Sequence, residues 1–183
     1  MEQHYVERDI GRVLLSEDEI KARVAELGRQ ISEDYKGKDF VAVCILRGCA
    51  IFFSDLMRQV TIPVAMEFMS VSSYGSGSQS SGSIKIKYDM ENDIEGKDVL
   101  IVEDIIDSGN TLSHLLEMLQ SRKPKSLEVC CLLDKPDRRV VHVPVRYTGF
   151  EIPDEFVVGY GLDYVSLYRN YRDIGILKRS VYQ

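Results

Sequence analysis

The sequence lacks long apolar runs, and no stretch approaches the ~18 residues that a membrane-spanning helix needs. It also lacks an excess of basic residues: 23 Lys and Arg stand against 29 Asp and Glu, for a formal net charge of −6. Proteins that bind nucleic acid more often carry a basic face, so this balance argues against that class. The first twenty residues are polar and acidic, unlike a secretory signal, and we expect a cytoplasmic protein with no membrane partner.

The four cysteines lack the CxxC spacing that is typical of zinc sites. Cys44, Cys130 and Cys131 lie in apolar runs, and Cys49 follows a glycine. The adjacent pair at 130 and 131 would point to opposite faces of a strand and could not easily form a disulfide. We therefore expect buried, reduced thiols and a reducing compartment.

Two common phosphate-binding motifs, GxxxxGK(S/T) and GxGxxG, are missing, but one stretch has a related layout. In Lys97–Thr111, KDVLIVEDIIDSGNT, an apolar strand ends at Val102 and is followed by Glu103 and Asp104. A small polar loop then leads into the amphipathic pattern Leu112–Leu119. A strand, a glycine-containing turn and a helix start aim backbone N–H groups at one point, which suits a phosphate. Taken alone, the turn could equally be a helix cap with solvated acids beside it.

Three further strand ends carry polar residues that have both a structural and a functional interpretation. The strand Phe40–Leu46 ends at Arg47-Gly48, which is either an ordinary turn or a second place for an anion. Another strand delivers Lys135 at its tip, where a lysine is usually only solvated. The segment Phe156–Tyr164, FVVGYGLDY, could be a core strand or a planar-ligand contact.

Residues 72–83 are almost entirely Ser and Gly, a composition that cannot pack a core. Such a segment could be a linker between domains. Because Ile84–Tyr88 resumes as an alternating strand, a hairpin with a long active-site lid fits better. Strands and helices alternate along the chain, which predicts one α/β domain with a largely parallel sheet and helices on both faces.

The run from the apolar strand through EDIIDSGNT closely resembles the phosphoribosyl-diphosphate (PRPP) signature of the type I phosphoribosyltransferases. FVVGYGLDY resembles the purine-binding segment of the hypoxanthine-guanine phosphoribosyltransferases within that family, and the resemblance spans about residues 40–175. It implies the type I phosphoribosyltransferase fold over residues 1–183: a twisted, mainly parallel sheet flanked by helices, with a small hood from about 1–15 and 145–183. The activity it implies is transfer of the phosphoribosyl group from PRPP to hypoxanthine or guanine in purine salvage, giving the nucleoside monophosphates IMP or GMP and diphosphate.

The resemblance also assigns residues to the PRPP site. The 5′-phosphate would be cradled by a loop of five residues: Asp107, Ser108, Gly109, Asn110 and Thr111. Glu103 and Asp104 would accept hydrogen bonds from the ribose hydroxyls. The diphosphate would be bound by Leu46, Arg47, Gly48 and Arg169, with a cis peptide expected between the first two of these. Ser73 and Tyr74 match the pair that starts the lid.

For the purine, the resemblance implies Lys135 donating to the exocyclic oxygen, Phe156 stacking on the base and the Val157 backbone reading its edge. Asp107 would act as general acid–base, assisted by the same lysine. Mg²⁺ is the implied cofactor, held by the diphosphate and by Glu103, Asp104 and Asp163. Cys49 and Asn110 replace the glycine and lysine that are common in the family, which affects the loops but leaves their charge and amides largely in place.

The resemblance further implies a homodimer or homotetramer. A different class also has this fold: regulators that sense PRPP and bind nucleic acid. The net charge and the retained purine-site residues, among them Lys135, Phe156 and Asp163, argue against that alternative. Adenine would bind poorly beside Lys135, because its 6-amino group and the lysine ammonium would both be hydrogen-bond donors.

Overall fold

The computed structural model describes residues 4–73 and 84–183, which form two β-sheets with helices around them. The helices are α1 (His4–Asp9), α2 (Glu17–Asp34), α3 (Ala50–Gln59), α4 (Asn110–Gln120) and α5 (Arg179–Tyr182), with a 3-10 turn at Pro136–Arg138. The strands are β1 (Ile10–Leu15), β2 (Phe40–Leu46), β3 (Ala65–Ser73), β4 (Ile84–Tyr88), β5 (Asp98–Ile106), β6 (Ser126–Asp134), β7 (Tyr147–Glu151), β8 (Val157–Val158) and β9 (Ile174–Leu177). No helix in these two ranges is long and apolar enough to cross a membrane.

The main sheet has six strands in the order β4-β3-β2-β5-β6-β7. Its neighbouring pairs from β3 to β7 are parallel, and only β4 runs antiparallel, against β3. The predicted mainly parallel α/β sheet is therefore confirmed. β3 and β4 form the predicted hairpin pair, with Ser73 opposite Ile84.

Alternate side chains of the buried strands feed two separate cores, one on each face of the main sheet. Ala42, Leu100 and Leu132 pack with α2 and α3. Val43 and Ile101 pack with α4 on the other face. This period of two follows from the pleat of a strand, and it explains why the runs are apolar at every position. The four cysteines are free and buried, with Cys130 and Cys131 in opposite cores, as predicted.

Helix α2 begins with a capping box between Ser16 and Glu19. Glu19 Oε2 accepts a hydrogen bond from the Ser16 N–H at 2.9 Å, and the Ser16 hydroxyl accepts one from the Glu19 N–H at 3.4 Å. These bonds satisfy N–H groups that a helix start otherwise leaves unpaired. The helix then buries one apolar face against α3 and the main sheet.

The second sheet has three strands in the order β1-β9-β8, all antiparallel, and draws on both ends of the chain. We call these strands the small sheet. The predicted hood included everything from about residue 145, but Tyr147–Glu151 forms β7 and pairs with β6 in the main sheet. Tyr147 is buried there and its hydroxyl donates to Asp34 of α2 at 2.6 Å, so this segment belongs to the larger layer.

A buried carboxylate ties the two ends of the small sheet together. Asp9 is 5% exposed, accepts from Arg8 Nε at 2.7 Å and accepts from the Tyr168 hydroxyl at 2.9 Å. The hydrogen bond from Arg8 is the main cause that lowers the pKa of Asp9, and Tyr168 adds to it. These partners favour the ionised form, so the stabilisation is present above the unfolded pKa of ~3.9 and is lost as pH falls through the lower native pKa.

We therefore expect Asp9→Ala to lower the free energy of unfolding by ~1–3 kcal/mol at pH 7, because Tyr168 and Arg8 lose a charged acceptor. The difference from wild type should shrink towards pH 3, because the unfolded chain then takes up a proton that the native carboxylate resists. Urea unfolding of both proteins at the two pH values measures it. A difference that stays constant with pH would show that packing, and not charge, is what Asp9 contributes.

Candidate active site

The carboxyl ends of β5 and β6 face the small sheet across a cavity of about 580 Å³. In parallel α/β sheets this edge is where ligands bind. We call this space the main cavity. Its lining comes from both layers: Asp104, Ile105, Asp107, Lys135, Arg138, Asp154, Glu155, Phe156, Val157, Leu162, Asp163, Arg179 and Tyr182. Six residues that the sequence assigned to the substrates, from Asp104 to Asp163, thus line one space.

A smaller cavity of about 130 Å³ lies beside the main one, at the start of α4. It is lined by Glu103, Ile105, Ile106, Asp107, Ser108, Gly109, Thr111 and Leu112. We call it the loop cavity. Ile105 and Asp107 line both spaces, so the two are neighbours along the same strand end.

The loop cavity is walled by backbone N–H groups. Among the described residues, the amides of Ser108, Gly109, Thr111 and Leu112 donate no hydrogen bond, while the Ser108 carbonyl accepts from Val140 and Val141 at 2.9 and 3.1 Å. Gly109 caps α4 with φ +84°, and a Cβ there would lie 2.6 Å from the carbonyl oxygen of Val141. Unpaired amides at a helix start favour an anion. The capping residue is thus Gly109, and Asp107 does not cap the helix.

The strand β5 continues to Ile106, four residues beyond the predicted end at Val102. Its pairing with β6 extends as far, through Ile105 with Leu133 and Ile106 with Asp134. Glu103 and Asp104 are therefore strand residues whose side chains leave on opposite faces. Glu103 lines the loop cavity and Asp104 lines the main cavity, so the two acids would approach a ligand from two neighbouring spaces.

Both acids are poorly solvated. Burial raises the pKa of Asp104 to about 6. The Ile105 N–H donates to Asp104 Oδ1 at 2.9 Å and partly offsets this rise. Burial also raises the pKa of Glu103 well above its ordinary value, and the neighbouring Asp104 adds to the effect. Carboxylates that lack water favour partners that bring hydroxyl donors or a cation.

Asp107 lies at the junction of the two cavities, with its side chain 47% exposed. Its Oδ1 is 2.8 Å from Arg138 Nε, yet this atom is buried and makes no hydrogen bond of good geometry. The contact is therefore an ion pair, and an acceptor of Asp107 remains unsatisfied. Arg138 also approaches Asp154 Oδ1 at 3.4 Å.

Lys135 and Phe156 both line the main cavity. Lys135 is buried, and its Nζ donates to the carbonyl oxygen of Glu155 at 2.7 Å. Phe156 is 37% exposed, whereas Val157 and Val158 are buried in β8. The two valines pack in a strand, as one interpretation predicts. The preceding aromatic ring lines the cavity, where contact with a planar ligand stays a prediction.

The predicted diphosphate residues converge at the end of β2. The Leu46–Arg47 peptide is cis, as predicted, and the Arg47 side chain is exposed. Gly48 is packed so tightly that a Cβ would overlap Asp104 Oδ2. The carbonyl of Gly48 in turn abuts Gly161, whose carbonyl accepts from Arg169 Nη1 at 2.6 Å.

Asp163 is held by two donors. Its Oδ1 pairs with Arg169 Nη2 at 2.6 Å, and its Oδ2 accepts from the Ser166 N–H at 2.8 Å. Within residues 4–73 and 84–183, no group of three acidic, histidine or cysteine side chains could hold a metal ion. Asp104 and Asp163 line the same cavity, so they fit Mg²⁺ only as two ligands among others that a substrate brings.

Of the two lid residues, Ser73 ends β3 and Tyr74 lies outside the described residues, as does the rest of the proposed lid. Several lining residues carried no sequence signal. No role was predicted for Ile105, which lies within the EDIIDSGNT run, or for Arg138, which lies outside the matched motifs. Tyr182 follows the matched motifs, and only the three-dimensional fold brings it to the cavity.

Comparisons with known proteins agree with this geometry. Residues 14–165 match the sequence model of the family described as phosphoribosyl transferase domain. The hypoxanthine phosphoribosyltransferase of Escherichia coli strain K12 is 59% identical over 165 residues, which cover 89% of this chain and 93% of that protein. The hypoxanthine-guanine phosphoribosyltransferase of Mycobacterium avium is 52% identical over 181 residues, covering 96% and 89%.

A crystal structure of a hypoxanthine phosphoribosyltransferase from Staphylococcus aureus superposes with a TM-score of 0.96 at 49% identity. The match covers 100% of both chains, so it includes the small sheet as well as the main one. Fold, motif order and sequence identity over nearly the whole length lead to the same conclusion: this chain is a member of the phosphoribosyl transferase domain family.

Proposed function

We propose that this chain is a hypoxanthine phosphoribosyltransferase, which joins a 6-oxopurine to PRPP and releases a nucleoside monophosphate and diphosphate. The observation that carries the proposal is the main cavity, which gathers Asp104, Asp107, Lys135 and Phe156 at one strand edge. The loop cavity beside it supplies unpaired amides for a phosphate. The relatives named above bear the names of the same activity.

The loop from Asp107 to Thr111 binds the 5′-phosphate of PRPP in this proposal. Its free N–H groups and the Ser108 and Thr111 hydroxyls are donors, which a phosphate oxygen needs. Asn110, the first residue of α4, does not line the cavity, which explains why a lysine is not needed there.

Glu103 and Asp104 accept from the ribose hydroxyls, each from its own face of β5. Asp104 and Asp163 would share Mg²⁺ with the diphosphate oxygens, and this ion makes diphosphate a better leaving group. Glu103 is less suited to that ion, because it lines the loop cavity instead. Arg47, Gly48 and Arg169 supply positive charge and backbone donors for the diphosphate.

The chemical step is displacement at C1′ of the sugar. As the bond to diphosphate breaks, the sugar gains oxocarbenium character, and a purine nitrogen attacks from the opposite face. Asp107 takes the proton that the base loses, through its half-exposed carboxylate, which lines the main cavity. Lys135 polarises the 6-oxo group, which makes the base a better proton donor.

Lys135 also determines which base fits. In the free protein its ammonium donates to the Glu155 carbonyl, and the 6-oxo group of a purine is a second acceptor within the same cavity. The 6-amino group of adenine and the Lys135 ammonium are both hydrogen-bond donors. Neither could pair with the other in the cavity, which disfavours adenine.

Nucleotide formation from PRPP and Mg²⁺ with hypoxanthine, guanine, xanthine or adenine in turn tests the proposal. We expect turnover of hypoxanthine, and turnover of adenine that is lower by a factor of ~100 or more, because the mismatch leaves a buried donor unpaired. PRPP binding without turnover of any purine would contradict the enzyme proposal and would favour the regulator.

We further propose a cytoplasmic homo-oligomer, for which the four reduced, buried cysteines support the compartment.

A further inference from the structure

One aromatic side chain of the main cavity has no role in the proposed chemistry. Tyr182 of α5 stacks on Phe156, with ring centroids 4.8 Å apart and an interplanar angle of 23°. Tyr164 lies edge-on to both rings, at 5.7 Å and 87° from Phe156 and 6.4 Å and 64° from Tyr182. The three rings form an aromatic cluster on the wall of the cavity that the small sheet provides.

The helix that carries Tyr182 is short but well anchored. The Lys178 N–H donates to the Asp9 carbonyl at 2.9 Å, and Lys178 Nζ donates to the Arg8 carbonyl at 2.8 Å. Val181 packs on Ile10, Val158 and Leu177 of the small sheet. The position of the Tyr182 ring is thus set by the same sheet that carries Phe156.

The stacked pair of Phe156 and Tyr182 limits where a purine can stack. Rings in stacked pairs have centroids ~4.5–7 Å apart, so a base between Phe156 and Tyr182 would need roughly twice the observed separation. A base that stacks on Phe156 while this pair is in place therefore uses the face of Phe156 that Tyr182 does not cover.

We propose that Tyr182 is a positioning residue for the purine: it supports Phe156 from behind and fixes the ring plane on which the base stacks. This inference rests on the proposed function, since it assumes that Phe156 receives a purine. A half-exposed ring without that support could turn about its side-chain bonds, and the base would have to immobilise it on binding. Tyr182 removes that cost beforehand.

The test is the steady-state kinetics of Tyr182→Ala and Tyr182→Phe, with hypoxanthine and PRPP varied separately. Tyr182→Ala should raise the KM for hypoxanthine by ~3- to 10-fold, the size expected for one aromatic stack. Both kcat and the KM for PRPP should stay within about twofold, because neither depends on the plane of Phe156. Tyr182→Phe keeps the ring and should behave as wild type.

Ser180→Ala is the matched control, because Ser180 is an exposed residue of the same helix that does not line the cavity. It should leave the KM for hypoxanthine unchanged. An unchanged KM in Tyr182→Ala would overturn the inference, and a lowered KM would show that Tyr182 competes with the base instead.

Titration calorimetry with GMP separates this failure from that of the proposed function. We expect Tyr182→Ala to weaken GMP binding by about the same factor as the KM, since the nucleotide carries the base. Wild-type protein that neither forms nucleotide nor binds GMP would contradict both proposals. Active wild-type protein with equal GMP affinity in Tyr182→Ala would contradict only the role of Tyr182.

Discussion

Asp107→Ala is expected to lower kcat for IMP formation by a factor of ~100 or more, the usual contribution of a general acid–base. Asp107 lines both cavities, which places it between the loop for the 5′-phosphate and the wall for the base. Its buried Oδ1 has no hydrogen-bond donor of good geometry although Arg138 is 2.8 Å away. Since the side chain is 47% exposed, the rest of the carboxylate is open to a proton from a ligand. Initial rates at saturating PRPP and hypoxanthine measure the effect.

The matched control is Asp137→Ala, which removes an exposed carboxylate near Lys135 that does not line either cavity. Its kcat should stay within about twofold of wild type. A helix-cap role cannot account for a loss in Asp107→Ala, since Gly109 caps α4 without any side-chain hydrogen bond. If kcat for Asp107→Ala stays within about threefold, another group must take the proton, and Asp107 would only orient Arg138.

The sequence was most informative where local pattern and topology agree. The apolar runs in β2, β5 and β6 are buried strands because a parallel sheet with helices on both faces buries every residue. The error at the end of β5 has a physical cause. Glu103 and Asp104 look like a strand end because they are charged, but pairing with β6 carries the strand on to Ile106.

The candidate site shows the same difference between features set by a local segment and features set by long-range contacts. Residues within continuous motifs, such as Asp107–Thr111, could be predicted together because a single local segment carries them, and four of these five line the loop cavity. Tyr182 was not, because its importance lies in a contact with Phe156, 26 positions earlier in the chain. The β7 segment was misplaced for a similar reason, since the partly buried hydrogen bond from Tyr147 to Asp34 joins distant residues.

The contact between the two layers of the site leads to the second prediction. Gly161 has φ +103°, and a Cβ there would overlap the carbonyl oxygen of Gly48. Its own N–H donates to the Arg169 carbonyl at 3.0 Å, so the backbone has little room to shift. We expect Gly161→Ala to lower the free energy of unfolding by at least ~3 kcal/mol, as strain at a positive φ adds to a backbone overlap. For a chain of this size the midpoint of thermal unfolding should fall by ~6–12 °C.

Gly37→Ala is the control for the strain alone. Gly37 also has a positive φ, +75°, but nothing lies within 4 Å of the position of its Cβ. We expect it to cost only ~1–2 kcal/mol, the price of the left-handed conformation for a residue with a side chain. The difference between the two variants measures the close approach of Gly161 to Gly48. Equal losses would show that the two layers separate easily at this point.

The same contact should also affect the KM for PRPP. Gly48 lies against Asp104 on one side and Gly161 on the other, so a shift of Gly48 moves a carboxylate of the main cavity. At temperatures where Gly161→Ala is still folded, we therefore expect the KM for PRPP to rise by ~10-fold or more. A displacement of a binding group by ~1 Å is enough for an effect of that size. Folded Gly161→Ala with an unchanged KM for PRPP would show that Asp104 does not depend on this packing, and that the loop after β2 keeps its place without the small sheet.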